Sequence, residues 1–97
     1  MDKLKIIALA ATGILTALNG LFMIIEPLTW FETIPGVSRT GLPNSHLIRD
    51  VGIAYLAIGM GLIWVIKSAA HRFAVCVAAT AWLGGHALFH FWEFTNS

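Results

Sequence analysis

The 97 residues are 58% hydrophobic and only 11% charged, with a mean hydropathy of +0.79, and so few charges cannot supply the polar surface of a soluble domain, which averages about a quarter charged residues. The net charge of +1 forms no basic stripe, which excludes nucleic acid as a partner. Cys76 is the only cysteine, so an intrachain disulfide and a Cys-based zinc site are both excluded.

Three apolar stretches approach the roughly 20 residues that a bilayer crossing requires. The first, Ile6 to Ile25, is interrupted only by Thr12, Gly13, Thr16, Asn19 and Gly20, and predicts a membrane helix over residues 5–26. Lys3 and Lys5 before it resemble a signal-peptide start. However, the apolar run continues through Leu21-Phe22-Met23-Ile24-Ile25 with no small-residue cleavage pattern, so a retained helix is expected. Pro27 lacks a backbone donor and disfavours helix at Glu26, which ends the span.

Residues 27–45 form the predicted long loop. Leu28-Thr29-Trp30-Phe31 reads as an interfacial piece with its aromatics at headgroup level, Trp30 serving as a belt residue. Pro35-Gly36 and Gly41-Leu42-Pro43-Asn44 are turn chemistry, and Asn44 or Ser45 is placed to cap the next helix. The second span is predicted over residues 46–67. The short link from Lys67 to Arg72 makes it an antiparallel neighbour of the third, predicted over residues 72–94. His71, beside Arg72, reads as a solvated loop histidine.

The fold class expected is therefore all-α: an integral membrane three-helix bundle in one domain, set in a lipid bilayer. Lys3, Lys5, Lys67 and Arg72 fall on one side, with Arg39 and Arg49 on the other beside Glu26, Glu32, Asp50 and Glu93. The positive-inside rule then places the amino terminus in the cytoplasm and faces the long loop and carboxyl terminus outward, in a bacterial inner membrane. Gly13, Ala17, Gly52, Gly59, Ala78 and Ala79 are small residues of the kind that let helices approach closely. Three helices enclose little by themselves, so a homo-oligomer is expected.

Ionisable residues inside a span are functional hypotheses by default. His86, His90 and Glu93 lie within about 60° on one helix face, and His46 and Asp50 are also one turn apart. In antiparallel spans, His46 matches the depth of His90 and Glu93, and Asp50 that of His86. Glu26 and Asn19, on the first span, are candidates for a surrounding shell. Imidazole with carboxylate suits a transition metal such as copper, iron or zinc, so His46, Asp50, His86, His90 and Glu93 form a candidate metal set for redox chemistry or metal handling. Arg49 is adjacent and suited to an anionic group.

Two other readings stand beside it. In one, haem b is ligated by His46 with His86 or His90, Arg49 lies near the propionates, and Gly52, Gly84 and Gly85 make room for the macrocycle in an electron-transfer protein. In the other, the polar residues form a structural network in an accessory or assembly subunit of a larger membrane complex. Trp64, Trp82, Trp92 and Phe89 read as packing or interface residues. Hydrolytic chemistry finds no nucleophile context.

Asn19-Gly20-Leu21-Phe22-Met23, His46-x-x-Arg49-Asp50-x-Gly52 and the closing His86-x-x-x-His90-x-Trp92-Glu93 resemble a family of small uncharacterised bacterial polytopic membrane proteins. The resemblance runs from Asn19 to Glu93. It implies a multi-pass inner-membrane protein and carries no settled activity.

Overall fold

The computed structural model describes residues 2–34, Val37 and residues 41–96, the side chains of Phe94 and Asn96 excepted. The expected turn at Pro35-Gly36 and the side assigned to Arg39 lie outside these residues. The described chain is all-helical: α1 is Lys3–Ile25, α2 Pro27–Thr33, α3 Ser45–Trp64 and α4 Ala69–Asn96. Three of these, α1, α3 and α4, are long and apolar enough to cross a membrane.

Each helix end has a local cause. The Asp2 carboxylate accepts from the Lys5 amide at 2.9 Å and caps α1. Pro27 stops α1 and then opens α2 at a first-turn position, where its missing N–H costs nothing. Asn44, one of the two expected caps, accepts from the Leu47 amide at 3.1 Å and starts α3. At the other end of α3, Arg72 donates from Nε to the Val65 carbonyl at 3.0 Å and from a terminal nitrogen to the Ile66 carbonyl at 3.2 Å. Arg72 thereby ties the short link to the base of α4. His71 sits in the first turn of α4, exposed, with Nδ1 2.9 Å from the Ser68 hydroxyl.

The main helix pair is α1 with α3, antiparallel and in backbone contact. A Cβ on Gly20 would lie 2.5 Å from the Gly52 carbonyl oxygen, and one on Gly59 would lie 2.5 Å from the Ala17 amide and 2.6 Å from the Gly13 carbonyl oxygen. Only glycine fits at such contacts, so the two helices meet along a seam of small residues. The space beside Gly52 is thus filled by α1, with Met23 and Gly20 against it.

Beyond this seam, Met23, Phe31 and Ile48 form a small core, with Trp30, Val37, Val51 and Tyr55 packed around it. The interfacial segment is therefore a seven-residue helix folded back onto the α1–α3 end, not a strip of aromatics alone. Trp30 turns inward, and its indole N–H donates to the Asn19 side-chain oxygen at 2.9 Å. Asn19 also reaches the Met23 sulfur at 3.6 Å.

α4 leans on α3 through the Gly61–Val75, Tyr55–Trp82 and Tyr55–His86 contacts. A groove lined by Leu9, Thr12, Cys76, Thr80 and Leu83 separates α4 from α1. Most of α4 is left uncovered by protein, including Phe73, Val77, Leu88, Phe91 and Trp92.

Candidate functional site

The ionisable residues of the spans gather at the end of the molecule away from the Arg72 link, but they do so in two places. On α4, spacings of four and three residues bring His86, His90 and Glu93 onto one face. The Nε2 atoms of His86 and His90 stand 2.9 Å apart, with ring centroids at 4.4 Å. Glu93 Oε1 lies 4.0 Å from His90 Nδ1, the ring nitrogen turned away from His86.

His86 is held by its neighbours. The Trp82 ring stacks on it at 5.6 Å and 24°, and the Tyr55 ring from α3 meets it edge-on at 5.5 Å. Tyr55 and Trp82 also contact each other at 6.2 Å. The result is an aromatic corner of two walls against one imidazole. Sequence reasoning took Trp82 as packing and passed over Tyr55. The available signal was that Tyr55 is the chain's only tyrosine, placed in mid-span.

The second place is the start of α3, where His46 Nε2 lies 3.2 Å from Asp50 Oδ2, the two side chains being 88% and 58% exposed. Tyr55 marks the face of α3 that meets His86. At about 100° per residue, Asp50 is about 140° round the helix from Tyr55 and His46 about 180°. Because α3 and α4 run antiparallel and Tyr55 meets His86, Asp50 comes level with His90, about one turn from the depth beside His86 expected from the sequence. The pair nevertheless points away from α4. Among the described residues, no three of His, Cys, Asp and Glu come together as a set able to hold a metal ion.

The remaining candidates have partners of their own. Arg49 donates from Nε to the Ile24 carbonyl at 3.1 Å, closing the exposed end of α1. Asn19 is engaged by Trp30 and Met23 as described, and Glu26 lies exposed at the α1–α2 corner, its side chain capping neither helix.

The His86–His90 geometry has definite chemical consequences. Two imidazole nitrogens on one ion at about 2.0–2.1 Å stand about 2.9 Å apart for a right-angle pair and about 3.3 Å for a tetrahedral one. The observed 2.9 Å therefore matches adjacent positions on a single ion. It falls well short of the roughly 4 Å between the two axial nitrogens of a bis-imidazole haem, so in this arrangement the two residues do not serve one haem iron together. The chain matches no family model, no curated protein and no solved structure.

Proposed function

We propose that this chain is a small bacterial inner-membrane metalloprotein that binds a transition-metal ion through His86 and His90 and works in redox chemistry or metal handling. In this reading α1, α3 and α4 are a three-helix bundle with Lys3, Lys5, Lys67 and Arg72 on the cytoplasmic side. The site then lies in the outer leaflet, near the outward-facing loop.

The observation that carries the reading is the 2.9 Å separation of two imidazole nitrogens on adjoining turns of a membrane-spanning helix. Copper, zinc and iron all accept imidazole. Glu93 supports it, because a metal-bound histidine characteristically turns its other ring nitrogen toward a carboxylate. Tyr55 and Trp82 fix the His86 ring and put two oxidisable side chains next to the ion, which favours one-electron chemistry over simple storage.

Metal analysis of the full chain, purified in detergent after expression with copper, zinc and iron supplied, tests this directly. Stoichiometric metal that is lost in the His86→Gln, His90→Gln double variant is expected. Wild-type protein without metal would overturn the reading.

A structural role is favoured by the same contact read differently, since one imidazole N–H and one lone pair satisfy each other at 2.9 Å. That role predicts metal-free protein whose helix packing weakens when the pair is removed.

A further inference from the structure

We infer that the metal site is completed between copies of this chain, with a second copy placing its His46–Asp50 pair against His86 and His90. The inference rests on the reading of His86 and His90 as ligands.

Two imidazoles leave an ion with open positions, and no third His, Cys, Asp or Glu joins them among the described residues of one chain. The same chain carries a second, preformed donor pair, with His46 Nε2 3.2 Å from Asp50 Oδ2. That pair has the right chemistry and the wrong direction. It lies about 140–180° round α3 from the face that meets α4, and its two side chains are 88% and 58% exposed.

Depth decides which partner can use it. Tyr55 is level with His86, and Asp50 lies five residues nearer the α3 start, about 7.5 Å farther along the axis. His90 is displaced from His86 by four residues in the same direction, about 6 Å. Rotation about an axis along the membrane normal leaves depth unchanged. Any copy so related therefore presents the partner subunit's Asp50 at the level of His90, and the partner subunit's His46 near Glu93. A soluble partner in the outer compartment meets no such requirement, whereas a second copy in the same membrane meets it automatically. The surfaces also suit one another, because α4 is largely uncovered and His90 is exposed. The contact joins two different faces, so it is head-to-tail and closes as a ring. Each copy then gives one ligand pair and receives another.

The test uses two full-length double variants, chosen to keep side-chain shape: His86→Gln with His90→Gln, and His46→Gln with Asp50→Asn. Cobalt(II) is the probe, read by its visible absorption and by bound metal per chain in detergent. Each variant alone is expected to bind none. Co-expressed in equal amounts, they are expected to regain about a quarter of wild-type cobalt, because one interface in four then unites an intact half from each copy.

Full cobalt in the His46/Asp50 variant would overturn the inference and leave the His86–His90 site standing. Loss in both variants with no recovery on mixing would also overturn it, since all ligands would then come from one chain. Wild-type protein that binds no cobalt would overturn the underlying reading instead. A second measurement does not depend on metal. Asp50→Cys with His90→Cys, on a Cys76→Ser background, should oxidise to a ladder of linked copies on a non-reducing gel. Monomer alone on that gel would overturn the inference.

Discussion

Gly20 and Gly52 bring the backbones of α1 and α3 together: a Cβ on Gly20 would lie 2.5 Å from the Gly52 carbonyl oxygen and 2.6 Å from the Leu56 amide nitrogen. Both obstacles are main chain and no rotamer relieves them, so Gly20→Ala forces the helices apart. A loss of about 1–3 kcal/mol is expected, the usual cost of overpacking. Gly84 and Gly85 are the controls, because an added Cβ there meets nothing within 4 Å. Gly84→Ala should be neutral or stabilising by up to about 1 kcal/mol through helix propensity. Unfolding in mixed detergent, followed by circular dichroism, measures both. Equal effects at Gly20 and Gly84 would mean that the α1–α3 seam is not where the fold is held.

The Trp30–Asn19 hydrogen bond closes α2 onto α1 at 2.9 Å, next to the buried Met23 and Phe31. Trp30→Phe keeps most of the aromatic packing and removes the donor, so a loss of about 0.5–1.5 kcal/mol is expected. Asn19→Ala should cost a similar amount, and the double variant little more than either, because the two changes remove one shared bond. Full additivity would show that the two side chains act separately. Tryptophan fluorescence gives a second readout, since an indole freed from Asn19 should change its emission.

Depth and direction were unequally legible in the sequence. Depth follows from counting residues along apolar runs, and chain order alone set Asp50 with His86 and His46 with His90, about one turn from the level that the Tyr55–His86 contact gives them. Direction depends on which face of α3 each neighbour claims. That was settled by glycines whose partners lie far along the chain: Gly52 and Gly59 turn one face to α1, Tyr55 turns another to α4, and Asp50 faces neither. Trp30 shows the same limit. Its amphipathic ring reads as a belt residue until Pro27 starts a helix that carries it back over Asn19. Helix ends depended on local chemistry and were read more closely. Pro27 and Asn44 act where they were expected to act, while α4 begins at Ala69, three residues before its predicted start, because Ser68 and Arg72 shorten the link.

Trp82 carries a buried indole N–H with no hydrogen-bond partner among the described residues, while its ring stacks on His86 at 5.6 Å. An unpaired donor costs free energy, so removing it while keeping the ring should relieve that cost. Trp82→Phe is expected to leave stability unchanged or raised by about 1 kcal/mol. Metal content should be unaffected, because Tyr55 still bounds the imidazole. Trp82→Ala removes the stacked wall as well and should destabilise by about 3–5 kcal/mol, as large aromatic truncations do. A Trp82→Phe variant as unstable as Trp82→Ala would show that the indole N–H has a partner after all.

Glu93 separates ligation from support at the proposed site. Its carboxylate is 4.0 Å from His90 Nδ1, on the far side of the ring from the Nε2 that faces His86. Placed there, it orients the ring without touching the ion. Loss of such a partner typically weakens metal affinity about 10–100-fold. Glu93→Gln should therefore bind cobalt(II) more weakly by that factor and, once saturated, give the wild-type visible spectrum. His90→Gln should lose binding at the same concentrations. A saturated Glu93→Gln spectrum shifted from wild type would instead place the carboxylate on the ion. It would also require His90 to turn, because the carboxylate and Nε2 now lie on opposite sides of the ring.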